Sequence, residues 1–336
     1  MLKIEDLEKI DSKYMFKTYD KWPEIAESSF ESKYEKFDVS EIDHIVFAGM
    51  GGSGSIGDSI SAILSKNDIH VSNVKGYLLP NTVDAKTLIV VTSVSGNTDE
   101  SLTILNNALQ TPAKIASFSS GGKIESFCKK NNVFFQNIPM MHSPRASYPS
   151  FLFSILNILE SILPINKKDV KEACLELKRT RDEICSSNLE GDNESLKLAS
   201  FLKEIACIYY PAGLQAAAIR YKNSLQEDVK MHAMVEDVIE SSHNGVVPWE
   251  RDFDISPVLI QGKDDYIKTK QRWKILREFF ESKNKEYFEI NSLNGSILSK
   301  ITNLIYLFDY SSIYSAVMSN IDPTPVKPID FVKERL

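Results

Sequence analysis

Cysteine is scarce in this 336-residue chain: Cys128, Cys174, Cys185 and Cys207 are the whole complement, with no CxxC pair among them. That spacing excludes a disulfide framework and a thiolate zinc site, and fits reduced, packed thiols. Positive charge is in deficit as well. A formal net charge of −7 counts against a nucleic-acid partner, whose phosphates demand a basic face. A small anionic ligand held by a few local donors stays possible. Long hydrophobic runs are missing too: the most apolar stretch, residues 147–163, is interrupted by polar residues and is too short to span a bilayer. The opening MLKIEDLEKIDSKYMFKTYD has no apolar signal core, so a cytoplasmic location is expected. Neither low-complexity segments nor a short-period repeat occurs.

What is present reads as an ordinary globular chain, 43% hydrophobic and 25% charged. At a prior of ~150 residues per domain the length predicts two domains. Residues 1–40 alternate charged and aromatic positions and read as helices wrapping the first domain. Strands are expected at 44–50 (HIVFAGM), 71–77, 87–93 (TLIVVTS), 114–118 and 133–138, with helices between them. A buried helix over 148–163 leads to a hinge at 164–168 and a charged helix to about residue 185. The alternation then resumes: strands at 205–210, 257–261 and 286–290, helices at 214–229 and 266–283, and a long helix over 296–319. This rhythm is that of parallel βαβ units. It predicts an α/β fold with two successive, pseudo-duplicated units, 1–163 and 164–336.

Two loops after expected strands carry the chemistry. Gly51, Gly52, Ser53 and Gly54 stand between a strand and a helix start, where small residues let backbone N–H groups approach a ligand and the helix dipole favours an anion. Ser93, Ser95 and Thr98 place three hydroxyls around Gly96, with Thr98 at the helix cap. The glycine run is no dinucleotide fingerprint, because the strand at 71–77 leads into Leu78-Leu79-Pro80 rather than an acidic residue. Nor is it a P-loop, since no Gly-Lys-Ser/Thr follows. Either loop alone could be plain turn and cap chemistry. Together, at neighbouring strand ends, they favour a ligand in the sheet's crevice.

These two loops resemble the sugar isomerase (SIS) domain. Further segments narrow the resemblance to the bifunctional phosphoglucose/phosphomannose isomerases: FAGMGGSGSIGD at 47–58, SVSGNTDESL at 93–102, Pro144-Arg145-Ala146, AAAIRYKNSLQE at 216–227, Ser242-His243-Asn244 with Trp249-Glu250, and DPTPVKPIDFVKERL at the terminus. The resemblance implies two SIS-type doubly wound subdomains and a homodimer with shared active sites. It implies that Gly52, Ser53, Ser93, Ser95 and Thr98 bind the sugar phosphate and that Arg145 faces the reacting carbons. Glu227 matches the catalytic base, His243 the ring-opening residue, and Lys333 a lysine of the terminal helix, with Lys327 as the alternative. Thr324 matches a threonine that stands where glucose-specific relatives carry a bulkier glutamine.

The implied chemistry is coherent. Aldose–ketose isomerisation needs the ring opened, a proton taken from C2 and one returned to C1, and a single carboxylate can shuttle it across a cis-enediol. A guanidinium can steady the enediolate. Remote phosphate binding orients the reacting carbons, and no metal or nucleotide cofactor is called for. Residue by residue the bland readings stay open: a solvated helix carboxylate for Glu227, a structural loop histidine for His243, a sheet-edge cap for Arg145, a turn threonine for Thr324. The rival function is a non-catalytic SIS module that senses a sugar phosphate. Such sensors usually carry a DNA-binding helical domain, whereas the N-terminal segment here is short and acidic. Aminosugar-phosphate isomerisation would call for an amidotransferase domain or an amino-terminal cysteine, and neither is in the sequence.

Overall fold

A computed structural model describes residues 2–335. In chain order these form α1 (Ile4–Ile10), α2 (Met15–Tyr19), α3 (Trp22–Glu31), β1 (His44–Ala48), α4 (Gly51–Leu64), β2 (His70–Val74) and β3 (Thr87–Ser93). Next come α5 (Asp99–Ala108), β4 (Lys114–Ser119), α6 (Gly122–Asn131), β5 (Phe134–Asn137), α7 (Tyr148–Ile158) and α8 (Lys167–Ile184). The remainder is α9 (Glu194–Phe201), β6 (Ile205–Tyr210), α10 (Gln215–Ser224), β7 (His232–Asp237), α11 (Val238–Ser241), β8 (Ile255–Gln261), α12 (Ile267–Ser282), β9 (Phe288–Asn291), α13 (Ile297–Met318) and α14 (Lys327–Lys333). Two compact units result: Lys21–Cys174, and the residues up to Asp20 with Leu175–Arg335. No helix among the described residues is long and apolar enough to cross a membrane.

The unit Lys21–Cys174 holds a five-stranded sheet in the order β2-β1-β3-β4-β5, parallel throughout. Every residue of β1 and β3 is buried, as expected of central parallel strands covered on both faces. On one face Val46, Ala48, Ile89 and Val91 pack against Ile104, Leu105 and Ala108 of α5 and Ile124 and Cys128 of α6. Elsewhere in the unit α7 packs against α3 and α4 and is buried along its whole length. Each of its Leu, Ile and Phe side chains contributes roughly 1.5–3 kcal/mol by leaving water.

The other unit holds a four-stranded parallel sheet, β7-β6-β8-β9. Cys207, Tyr209 and Leu259 of this sheet pack against Trp273, Leu276 and Phe280 of α12. Almost all of α13 is buried, packed against α9 and α10. The architecture is thus two doubly wound α/β sheets, as the strand–helix rhythm indicates.

Several boundaries differ from the sequence reading, each for a physical reason. Residues up to Asp20 join the second unit, because α1 and α2 pack on α13. Tyr306 donates to the Tyr19 carbonyl at 2.7 Å and Ser186 to Asp20 at 2.7 Å. The division also falls inside α8 rather than at 163/164. The helix expected over 148–163 stops at Ile158. Strand β7 was not expected at all. It lies at the edge of its sheet, with Ala233 its single buried residue, and so carries little hydrophobic signal.

Candidate active site

In the first sheet the winding reverses between β1 and β3, so their carboxyl ends open the crevice where doubly wound folds bind ligands. The loops leaving those two strands are the two singled out from the sequence. Ser53, buried in the first turn of α4, accepts a hydrogen bond through Oγ from the Val94 N–H at 3.0 Å. Ser93 and Thr98 share a hydroxyl–hydroxyl bond of 2.8 Å, and Ser93 Oγ also accepts from the Gly96 N–H at 3.2 Å. Asn97 donates its backbone N–H to Ser95 Oγ at 3.4 Å. Gly96 has φ +68°, and a Cβ there would stand 1.8 Å from the Gly121 carbonyl oxygen, so only glycine fits.

Neither α4 nor α5 is capped by a side chain. Thr98 does occupy the cap position of α5, but its hydroxyl is bonded to Ser93. In α4 the Ser53 N–H turns back to the Met50 carbonyl at 3.0 Å, and no side chain takes the N–H groups ahead of it, which suits an anion. The two helices differ: α4 has no acidic residue in its first turn, whereas α5 has Asp99 and Glu100. The dipole of α4 is the stronger attraction, and the α5 loop contributes mainly hydroxyls.

Arg145 belongs to this group. Its side chain is buried at 5% exposure in the turn before α7. Trp22 Nε1 donates to the Ala146 carbonyl at 3.0 Å, and Ser147 Oγ to the Ser143 carbonyl at 2.8 Å, which fix that turn. A Cβ on Gly52 would lie 3.3 Å from the Pro144 carbonyl oxygen and 3.4 Å from Arg145 Cα. The missing side chain at Gly52 is what lets the arginine turn approach the first turn of α4. Gly52, Ser53, Ser93, Ser95, Thr98 and Arg145 thus form one constellation in one unit.

Glu227 lies in the other unit, on a π-helical turn, Leu225–Val229, that prolongs α10. Such widened turns recur at functional sites because they re-aim a side chain without ending the helix. Glu227 itself is half-buried. Next to it Asp228 is fully buried and accepts from Ser312 Oγ at 2.7 Å. Two turns earlier Arg220, 1% exposed, pairs with Asp309 of α13 at 2.6 Å, and Ser224 donates to the same carboxylate at 2.7 Å. Burial is the largest single influence and opposes the Arg220 charge, but Asp309, Tyr19 and Glu227 together outweigh it, so the guanidinium stays firmly protonated. Breaking such a buried pair by removing one partner costs about 3–5 kcal/mol.

Thr324 stands in the turn before α14. Its N–H donates to Asp322 Oδ1 at 3.0 Å and its hydroxyl to Asp11 at 3.4 Å. The Lys230 ammonium donates to the carbonyl oxygens of Glu227 and Asp322 at 2.7 and 3.1 Å, which ties the threonine turn to the π turn. His243 is exposed, in the turn that follows α11. Lys327 and Lys333 open and close α14, which has no buried residue.

Bacterial phosphoglucose isomerase C-terminal SIS domains match residues 191–336 of the chain. A bifunctional phosphoglucose/phosphomannose isomerase of Caldicellulosiruptor bescii is 31% identical over 312 residues, covering 89% of this chain and 91% of the relative. The chain belongs to the bifunctional phosphoglucose/phosphomannose isomerase family. Its namesake from Aquifex aeolicus is 30% identical across 89% of this isomerase and 92% of its own length. Among solved structures, a glucosamine-6-phosphate deaminase of Thermotoga maritima superposes with a TM-score of 0.70. It is 13% identical and covers 92% of this isomerase and 96% of its own chain, a likeness of fold alone.

Sequence reading missed the buried supports of the Glu227 turn. Arg220, Asp228 and Asp309 are charged residues with exposures of 0–1%, a state almost confined to paired groups. The available signal was Asp309 alone inside the apolar run LIYLFDYSS, a lone charge that needs a buried partner. Lys230 gave no signal, because the acceptors it meets at Glu227, Asp228, Asp322 and Pro323 are backbone carbonyls.

Proposed function

We propose that this isomerase interconverts glucose 6-phosphate and mannose 6-phosphate with fructose 6-phosphate through a cis-enediol, without a metal ion. What carries the reading is the constellation at the β1/β3 crevice, where Ser53, Ser93 and Thr98 surround two uncapped helix starts and Arg145 adjoins Gly52. The hydroxyls of Ser53, Ser93, Ser95 and Thr98 and the α4 N-terminus hold the phosphate. Arg145 stabilises the enediolate oxygen. Glu227 takes the C2 proton and returns it to C1 on the same face of the intermediate. Phosphate binding far from C1 and C2 orients the chain of the open sugar, so its free energy is used for positioning.

Two chains pair, and His243 of a second copy assists ring opening. Its exposed turn and the exposed α14 support that arrangement. Lys333, or Lys327 as the alternative, adds electrophilic help at the reacting oxygens. Thr324 leaves room for the intermediate to turn about C2–C3, so that one base serves both epimers. The deciding experiment is a coupled assay of the purified protein on both aldose phosphates with EDTA present. Comparable turnover of the two is expected. Phosphate-sugar binding without turnover would favour the sensor reading instead, and loss of turnover in EDTA would remove the metal-free mechanism.

A further inference from the structure

The π turn that carries Glu227 ends at Lys230, which has φ 60° and ψ 29°. That left-handed position closes many helices and is usually glycine, because a Cβ is disfavoured there. A lysine in its place brings a long cationic side chain that the backbone conformation does not call for. The ammonium donates to the Glu227 and Asp228 carbonyls at 2.7 and 3.2 Å. Those oxygens belong to the last helical turn, where carbonyls lack helical partners. The same ammonium reaches the Asp322 and Pro323 carbonyls at 3.1 and 3.4 Å. The ammonium thus reaches two carbonyls on the peptide units of the base turn and two on those immediately before Thr324. The far turn is held from its other side as well, since Ser12 donates to Asp322 Oδ2 at 2.6 Å.

We infer that Lys230 is a positioning residue that fixes the Glu227 turn to the Asp322–Thr324 turn, setting the base and the epimer-discriminating segment at one spacing. This deepens the functional reading above and rests on it. Lys230 is exposed, so its replacement leaves the core intact. Glycine is the informative substitution, because it suits the backbone better than lysine while removing the cation. Any loss in Lys230→Gly therefore comes from the missing bridge rather than from backbone strain. Lys230→Met keeps the aliphatic stem and removes only the charge, which controls for packing.

The test combines hydrogen exchange with steady-state kinetics on both variants of the full chain. Amides in residues 225–231 and 321–326 are expected to exchange about tenfold faster, with Tm near that of the wild type. Turnover should fall about tenfold or more while KM changes little, because misplacement of a base is felt in the chemical step. The ratio of mannose to glucose turnover should shift as well. Wild-type exchange at 321–326 in both variants would overturn the bridge, whatever the protein turns over. Faster exchange with unchanged turnover and substrate ratio would overturn the positioning role. The exchange arm does not depend on activity, so a failure of the isomerase reading is distinguishable from a failure of the bridge.

Discussion

The two sheets share a winding, yet they use it differently. In each, the strand that comes first in its sheet is central, the second flanks it on one side and the third on the other: β2-β1-β3 and β7-β6-β8. Each topology offers a crevice at its carboxyl edge. In the first unit that crevice is lined by Gly52, Ser53, Ser93, Ser95 and Thr98, which present hydroxyls and uncapped helix starts. In the second unit the equivalent loops read Pro211-Ala212-Gly213-Leu214 and Gly262-Lys263-Asp264-Asp265. There α10 and α12 likewise start without a side-chain cap, but the second loop carries the carboxylates Asp264 and Asp265 in place of hydroxyls, which disfavours an anion. Asp265 accepts from the Gly262 N–H at 3.0 Å and from Trp273 Nε1 at 2.8 Å, and Lys300 is paired with Asp264.

In the second unit the proposed base, Glu227, stands at the far end of the crossover helix instead. The π turn with Glu227 closes two residues before β7 begins, at the amino edge of the strands. The same βαβ unit thus carries the proposed anion cradle at one end in one copy and a supported carboxylate at the other end in the second. Topology supplies crevices; side-chain chemistry decides which one is used.

Four experiments break or sharpen this contrast. The largest effect is expected from Glu227→Gln, which keeps the shape and removes the proton acceptor. Turnover should fall roughly 10²–10⁴-fold with substrate binding retained, and solvent deuterium should enter C2 of the sugar in the wild type only. A variant keeping more than about a tenth of wild-type turnover would take Glu227 out of the role of general base.

Replacing Ser93, Ser95 and Thr98 together by alanine should raise KM at least about tenfold, since a hydrogen bond to a charged group is worth ~1.5–3 kcal/mol. Alanine at Lys263, in the matching loop of the second sheet, should leave KM within about twofold. Equal effects at the two loops would erase the distinction between the crevices. Inorganic phosphate should compete with substrate in the wild type and lose affinity in the triple variant alone.

Mixing Glu227→Gln with His243→Ala chains, each inactive alone, should restore about a quarter of the wild-type sites after subunit exchange, as isologous pairing requires. No recovery after demonstrated exchange would mean that both residues serve from one chain. The smallest effect is expected at Thr324. Thr324→Gln should lower mannose 6-phosphate turnover a few-fold more than glucose 6-phosphate turnover, read as the ratio of kcat/KM values. Equal losses would leave Thr324 the turn role that its bonds to Asp322 and Asp11 already give it.

The sequence by itself determined the α/β class, nearly every strand and the positions of the two glycine- and hydroxyl-bearing loops. Apolar runs such as TLIVVTS at β3 are continuous because both faces are covered, and the glycine and hydroxyl loops that end them are local signals. It also marked Glu227, His243 and Thr324 by resemblance, but not what holds them. Only the tertiary structure decided that residues up to Asp20 belong with α13 and that Asp309, 89 residues from Arg220, neutralises it. Only the fold decided that Lys230 meets carbonyls 92 and 93 residues away. Those choices rest on contacts between segments distant in the chain and on backbone acceptors that every residue type carries, and neither leaves a pattern in a local stretch of sequence.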